Sequence, residues 1–125
     1  CGNVVGLEEF GQSIEDAVRN AAGNGVENAR FLCRDSAEGL KELAANGERF
    51  DLVVLDPPRT GALETMPLIP ALEPEKVIYV SCDPPTLARD LSVLAKQGYQ
   101  VVSSRAVDMF PQTYHIESVT LLHRR

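Results

Sequence analysis

Apolar positions fall in short blocks along this chain, separated by stretches with helical periodicity. Val4-Val5-Gly6-Leu7-Glu8 reads as a short buried strand that ends in an acid. Ile14, Ala17, Val18, Ala21 and Ala22 then recur at helical spacing; the Ser-x-x-Asp form of Ser13 to Asp16 predicts the helix start, and Asn24-Gly25 its stop. Ala29-Arg30-Phe31-Leu32-Cys33 is the next predicted strand, with Asp35 just past its end, and a second helix is expected from Ser36 to Ala45, closed by Asn46-Gly47. Residues 50–55 contain the run Leu52-Val53-Val54-Leu55, the kind a parallel sheet buries on both faces, and lead into Asp56-Pro57-Pro58-Arg59. Val77-Ile78-Tyr79-Val80 is a fourth strand ending in Ser81-Cys82-Asp83. Asp83 before Pro84-Pro85 has the form of a cap with proline in the first turn. Leu87, Leu91 and Leu94 mark the helix that follows, closed by Gly98. Residues 99–107 and 118–122 complete the strands as a terminal antiparallel pair, with no helix between them.

Strands alternating with helices predict one α/β domain around a mostly parallel sheet, built with right-handed crossovers. In such sheets ligands lie beyond the carboxyl ends of the strands. Glu8, Asp35, Asp56 and Cys82 all fall at those ends.

Composition narrows the classes. At 125 residues, 44% hydrophobic and 24% charged, the chain has the size and make-up of one globular domain. No apolar run approaches the roughly 18 residues that span a bilayer, and the first residues lack a secretory pattern, so neither membrane spanning nor secretion is expected. Twelve basic residues against eighteen acidic give a net charge of −6, which argues against a domain that grips nucleic acid by its own electrostatics. Cys1, Cys33 and Cys82 form no CxxC pair. A disulfide framework or metal site is therefore not expected, and a reduced, cytoplasmic setting is.

The candidate chemistry follows from residue types. An acid at a strand's carboxyl end accepts hydrogen bonds from ribose hydroxyls or an adenine amine, although Glu8 and Asp35 are each equally at home as a solvated loop acid or a helix cap. In Asp56-Pro57-Pro58-Arg59 the prolines fix the backbone and remove two amide donors, so Asp56 is held on a rigid turn suited to orienting a polar ligand. Cys33, inside a strand, reads as a small buried hydrophobe. Cys82 stands just ahead of a helix N-terminus that favours a thiolate, with Asp83 opposing that effect, so nucleophile and buried hydrophobe remain equal readings. Tyr114-His115-Ile116-Glu117-Ser118 brings an imidazole and a carboxylate ahead of the last strand, and either is a candidate general base.

Four segments together carry a resemblance: Val-Val-Gly-Leu-Glu, Asp-Leu-Val-Val-Leu-Asp-Pro-Pro-Arg-Thr-Gly, Val-Ser-Cys-Asp-Pro-Pro-Thr-Leu-Ala-Arg-Asp-Leu and Met-Phe-Pro-Gln-Thr-Tyr-His-Ile-Glu-Ser-Val. In this order they closely resemble the C-terminal catalytic domain of the RNA uracil-5 methyltransferases, over nearly the whole chain. The resemblance implies a Rossmann-like class I methyltransferase sheet and S-adenosylmethionine-dependent methylation of C5 of a uridine in RNA, ribosomal in preference to transfer RNA. It implies Cys82 as nucleophile and Glu117 as general base, with Glu8 at the cofactor ribose, Asp35 near the adenine and Asp56 between cofactor and target base. Asp83 stands where the family often has Asn.

The family's first strand and glycine-rich cofactor loop precede the segment matching Val4. The resemblance therefore implies a truncated catalytic domain, inactive alone, whose RNA-binding domain, and any iron–sulfur cluster, lie in a missing N-terminal region. A second copy of the chain is a candidate to fill the gap left in the sheet. An amine-directed methyltransferase and a folded, non-catalytic fragment are the competing readings.

Overall fold

The structure, a computed structural model, describes residues 2–125; Cys1 lies outside the described residues. The elements alternate as expected: β1 (Val4–Glu8), α1 (Gly11–Gly23), β2 (Ala29–Cys33), α2 (Ser36–Ala45), β3 (Leu52–Leu55), a 3-10 helix (Met66–Leu72), β4 (Lys76–Ser81), α3 (Pro84–Lys96), β5 (Tyr99–Val107) and β6 (Glu117–Arg124). β1 and β2 pair in parallel as a two-stranded unit, and a second unit has the order β3-β4-β6-β5. β3 and β4 run parallel, and β6 is antiparallel to both its neighbours. The last strand is thus inserted between β4 and β5, so the terminal antiparallel pair is real but not peripheral.

Packing explains that placement. β6 alternates buried Thr120 and Leu122 with less covered residues, whereas β5 buries only Tyr99. The core gathers Leu40 and Leu43 of α2, Val77 and Tyr79 of β4, Leu87 and Leu94 of α3, Tyr99 and Leu122. Tyr99 donates its hydroxyl to the Pro74 carbonyl at 2.9 Å, which satisfies the polar end of a buried ring. Burial raises the Tyr99 phenol above its usual range. Ser104 and Thr120 join β5 to β6 through a 2.8 Å hydroxyl pair.

The 3-10 helix was not legible in the sequence. Pro67 and Pro70 remove the amides an α-helix needs, so the segment closes with i→i+3 bonds such as Leu68 N–H to Thr65 O at 3.0 Å. It nevertheless buries Met66, Ile69 and Leu72, and forms the floor on which α2 and α3 pack.

Three sequence expectations are corrected. α1 starts at Gly11 after Phe10, with no side-chain cap, so Ser13 is inside the first turn; the Glu8 carboxylate takes the Phe10 amide at 3.0 Å and turns the chain into the helix early. Cys33 is exposed, because it closes β2 at the outer edge of the two-stranded unit. Strand β3 is two residues shorter than expected and is not buried on both faces: Leu52 is 44% and Val54 59% exposed. The cause of the last is topological. β1 and β3 each lack a partner on the side where they face one another, and an open slot runs between the two sheet units.

The inserted position of β6 has a stability consequence. Leu122→Ala is expected to cost about 2–5 kcal/mol, because it empties a fully buried site. Val102→Ala on half-exposed β5 is expected to change stability by less than about 0.5 kcal/mol. Urea unfolding of both variants checks this; equal losses would contradict the strand order.

Candidate active site

The carboxyl ends of β1, β2, β3 and β4 face the same way, and each carries a chemically distinctive residue. Glu8 ends β1, opposite Cys33 in the register, and holds the Phe10 amide. Asp35 caps α2, accepting from the amides of Ala37 at 2.9 Å and Glu38 at 3.3 Å. Asp35 is therefore a helix cap, one of its sequence readings, and it also lines a cavity with Glu8 and Asp56. That cavity has a volume of about 830 Å³ and continues into the slot between β1 and β3. Its polar lining is acidic, from Glu8, Glu9, Asp35 and Asp56, with Val5, Leu7, Leu40 and Leu43 among the apolar walls. Among the described residues no lysine or arginine lines it.

This donor set discriminates between ligands. A phosphate-bearing cofactor would meet carboxylates without a compensating cation, a costly arrangement in a partly enclosed site. A ligand with a cationic centre, sugar hydroxyls and a flat apolar base meets acceptors and apolar surface instead. S-adenosylmethionine has that make-up, and the residues present fit it.

Cys82 and Glu117 do not line this cavity; they stand at the end of the neighbouring ladder. β4 pairs with β6 through Ser81 opposite Ser118, and the Ser118 hydroxyl donates to the Ser81 carbonyl at 3.2 Å. Continuing that antiparallel register by one position sets Cys82 opposite Glu117. Strand pairing thereby sets the β4 end and the β6 start, 37 residues apart at Ser81 and Ser118, at one end of the ladder, which local periodicity gives no means of seeing. Cys82 is partly buried, and Cys33, the other described cysteine, is remote from Glu117 in the topology, at the far sheet unit.

Two capping interactions shape the Cys82 turn. The Ser81 hydroxyl accepts the Asp83 amide at 3.1 Å, and Asp83 caps α3 by accepting the Thr86 amide at 3.1 Å and the Thr86 hydroxyl at 2.6 Å. These Thr86 hydrogen bonds, with smaller contributions from the Arg59 and Arg89 charges, hold the Asp83 carboxyl below its usual range. Asp83 is thus anionic and committed to the helix. His115, the rival base, is exposed in the loop before β6, where its ring lies 4.9 Å from that of Tyr114 and 6.2 Å from that of Phe110. Among the described residues no group of His, Cys, Asp and Glu is arranged to hold a metal ion, and no helix is long and apolar enough to cross a membrane.

In Aeromonas salmonicida a protein named 23S rRNA (uracil(1939)-C(5))-methyltransferase RlmD is 46% identical over 121 residues, which cover 97% of this chain and 28% of that protein. An uncharacterised RNA methyltransferase of Caldanaerobacter subterraneus is 46% identical over 125 residues, covering 97% of this chain and 26% of its own length. The chain thus spans about a quarter of the length of these relatives. Among solved structures, a putative methyltransferase from Thermoplasma acidophilum superposes with a TM-score of 0.76 at 12% identity, over 99% of this chain and 58% of that one. A putative methyltransferase complexed with SAH gives 0.77 at 10% identity, over 96% and 39%. Those structures show the fold: a Rossmann-like class I methyltransferase sheet, as the sequence implied. The family model described as tRNA (Uracil-5-)-methyltransferase matches residues 3–125, nearly the whole chain, and the protein belongs to that family.

Proposed function

We propose that this chain is the C-terminal part of an S-adenosylmethionine-dependent enzyme that methylates C5 of a uridine in RNA, ribosomal RNA in preference to transfer RNA. The observation that carries the reading is the β4–β6 register, which ends at Ser81 opposite Ser118 and so brings the strand end at Cys82 and the strand start at Glu117 to one end of the ladder. Similarity to the rRNA methyltransferase of Aeromonas salmonicida supports the RNA class and the preference for ribosomal RNA.

The residues divide the work along the sheet. Glu8 accepts from the cofactor ribose, Asp35 lies towards its adenine, and Asp56 stands between cofactor and target base. When bound, the cofactor supplies an electrophilic methyl group. C5 of uracil is a weak nucleophile, and Cys82 remedies this: its thiolate adds to C6, and the displaced π electrons make C5 an enolate carbon that takes the methyl. Glu117 then removes the proton at C5. Electrons from that bond restore the C5–C6 double bond and expel the Cys82 thiolate, which closes the cycle. The uridine must leave its stack to reach a cysteine at a strand end. The missing basic surface that an RNA grip requires is assigned to the rest of the enzyme, in keeping with the net charge of −6.

An amine-directed methyltransferase needs no nucleophilic cysteine, and the placement of Cys82 just past the β4 end, beside the start of β6, weighs against it. A base mutant tests the order of steps. In the full-length enzyme Glu117→Gln keeps the shape but loses the basic carboxylate, so methylated RNA should accumulate still bound to Cys82. Denaturing gels and mass spectrometry read this directly. Normal turnover of Glu117→Gln, with trapping by His115→Ala instead, would transfer the role to His115.

The open slot predicts the behaviour of the isolated chain. Its carboxylates supply one side of the cofactor cavity, so titration calorimetry with S-adenosylmethionine should show binding weaker than micromolar. A dissociation constant near the micromolar range would contradict the assignment of the remaining cofactor contacts to a missing segment.

A further inference from the structure

The most densely hydrogen-bonded side chain outside the residues assigned above is Asp90, on α3, and it is wholly buried. Its Oδ2 accepts from the Tyr79 hydroxyl at 2.6 Å and from the Ala62 amide at 2.7 Å. Its Oδ1 pairs with the Arg89 guanidinium, from Nε at 2.9 Å and Nη2 at 2.8 Å. The same Arg89 Nη2 donates to the Thr60 carbonyl at 2.8 Å. Successive residues of α3 therefore hold the backbone on both sides of Gly61. Gly61 itself has φ +79, and a Cβ there would lie 2.3 Å from Thr86 Cγ2, 2.5 Å from Asp90 Oδ2 and 2.6 Å from Arg89 Nη2. Only a glycine lets the loop lie this close to the helix.

What this clamp joins is specific. One jaw is the loop after β3, which begins with Asp56 and Pro57-Pro58-Arg59. The other is α3, whose first turn is continuous with Cys82 through Asp83 and its Thr86 cap. Tyr79, three residues before Cys82 on β4, closes the triangle. Burial and the Asp90 carboxylate raise the Tyr79 phenol far above its usual range, in keeping with its role as donor to Asp90.

We propose that Arg89 and Asp90 are positioning residues, which fix the Asp56 loop relative to Cys82 so that cofactor and target base meet at one distance. The inference rests on the functional reading above. Asp90 also carries fold stability, since removing a donor or the carboxylate leaves buried polar groups unpaired. Arg89 does so much less: its side chain is 44% exposed, and without it Asp90 keeps Tyr79 and Ala62 while the Thr60 carbonyl can turn to water. Arg89 is therefore the residue through which positioning and stability separate.

The test uses the full-length enzyme with Arg89→Ala, Arg89→Lys and Gly61→Ala. Arg89→Ala should melt within a few degrees of the parent, while hydrogen exchange in residues 56–62 accelerates about tenfold and exchange in β4 stays unchanged. Its kcat/KM for RNA methylation should fall about 10- to 100-fold, the size expected when a reacting group is displaced by about an ångström. Arg89→Lys, with one ammonium in place of a fork, reaches Asp90 or Thr60 but not both, and should recover activity only in part. Gly61→Ala keeps every hydrogen-bonding side chain yet pushes the loop from α3, and should share the kinetic defect. Faster loop exchange with unchanged kinetics overturns positioning, and unchanged loop exchange overturns the clamp itself. A parent enzyme that neither binds S-adenosylmethionine nor methylates RNA overturns the functional reading instead, a failure visible before any variant is compared.

Discussion

A buried carboxylate sets the arrangement on which the rest of this molecule depends. Asp90 lies where strand, loop and helix meet, and the cost of taking its charge out of water is offset by donors from Tyr79, Ala62 and Arg89. Each donor comes from a different direction: β4, the loop after β3, and α3 itself. Losing the Tyr79 or Ala62 donor would leave buried polar groups unpaired, whereas the 44% exposed Arg89 fastens the loop more than it holds the fold. Asp56 and Cys82 leave their strands at adjacent ends of β3 and β4, and this junction holds their loops in register.

The second constraint is the slot. A parallel sheet gains its stability from strands covered on both faces and paired on both edges, and this chain withholds one strand position between β1 and β3. The penalty appears as half-exposed Leu52 and Val54 and as an α1 that buries none of its residues fully. The same interruption leaves the Glu8, Asp35 and Asp56 carboxylates around an open cavity rather than a closed pocket. Chemistry and stability are therefore short of the same piece. The chain covers about a quarter of its relatives' length, and the carboxylates it supplies border the cavity from the β1, α2 and β3 ends.

Much of this was written locally in the sequence. α2 and β5 have the bounds their patterns predicted, because Asn46-Gly47 and Gly98 punctuate them and Asp35 caps α2. The residues at the strand ends were legible for the same reason: a run of apolar residues that stops at an acid or a cysteine marks its own carboxyl end. What escaped was non-local. Ser13 looked like a cap because the Glu8 carboxylate, which turns the chain earlier, belongs to the preceding strand. Cys33 and Val54 looked buried because apolar runs do not say which strand is at an edge. The 3-10 helix hid behind its prolines. Asp90 drew no reading from the sequence, since nothing local announces that a tyrosine eleven residues earlier and an amide twenty-eight residues earlier converge on it. The pairing of Ser81 with Ser118, next to Cys82 and Glu117, is likewise a product of register alone.

The central claim is that Cys82 attacks the uracil ring. The most direct measurement incubates the full-length enzyme and S-adenosylmethionine with RNA carrying 5-fluorouridine, whose C5 fluorine cannot leave as a proton does. A protease digest is then mapped by mass spectrometry. The account predicts a methylated fluorouridine adduct on the peptide that contains Cys82, stable to denaturation. A complete absence of adduct from an enzyme that methylates ordinary RNA, or an adduct on exposed Cys33, would contradict it.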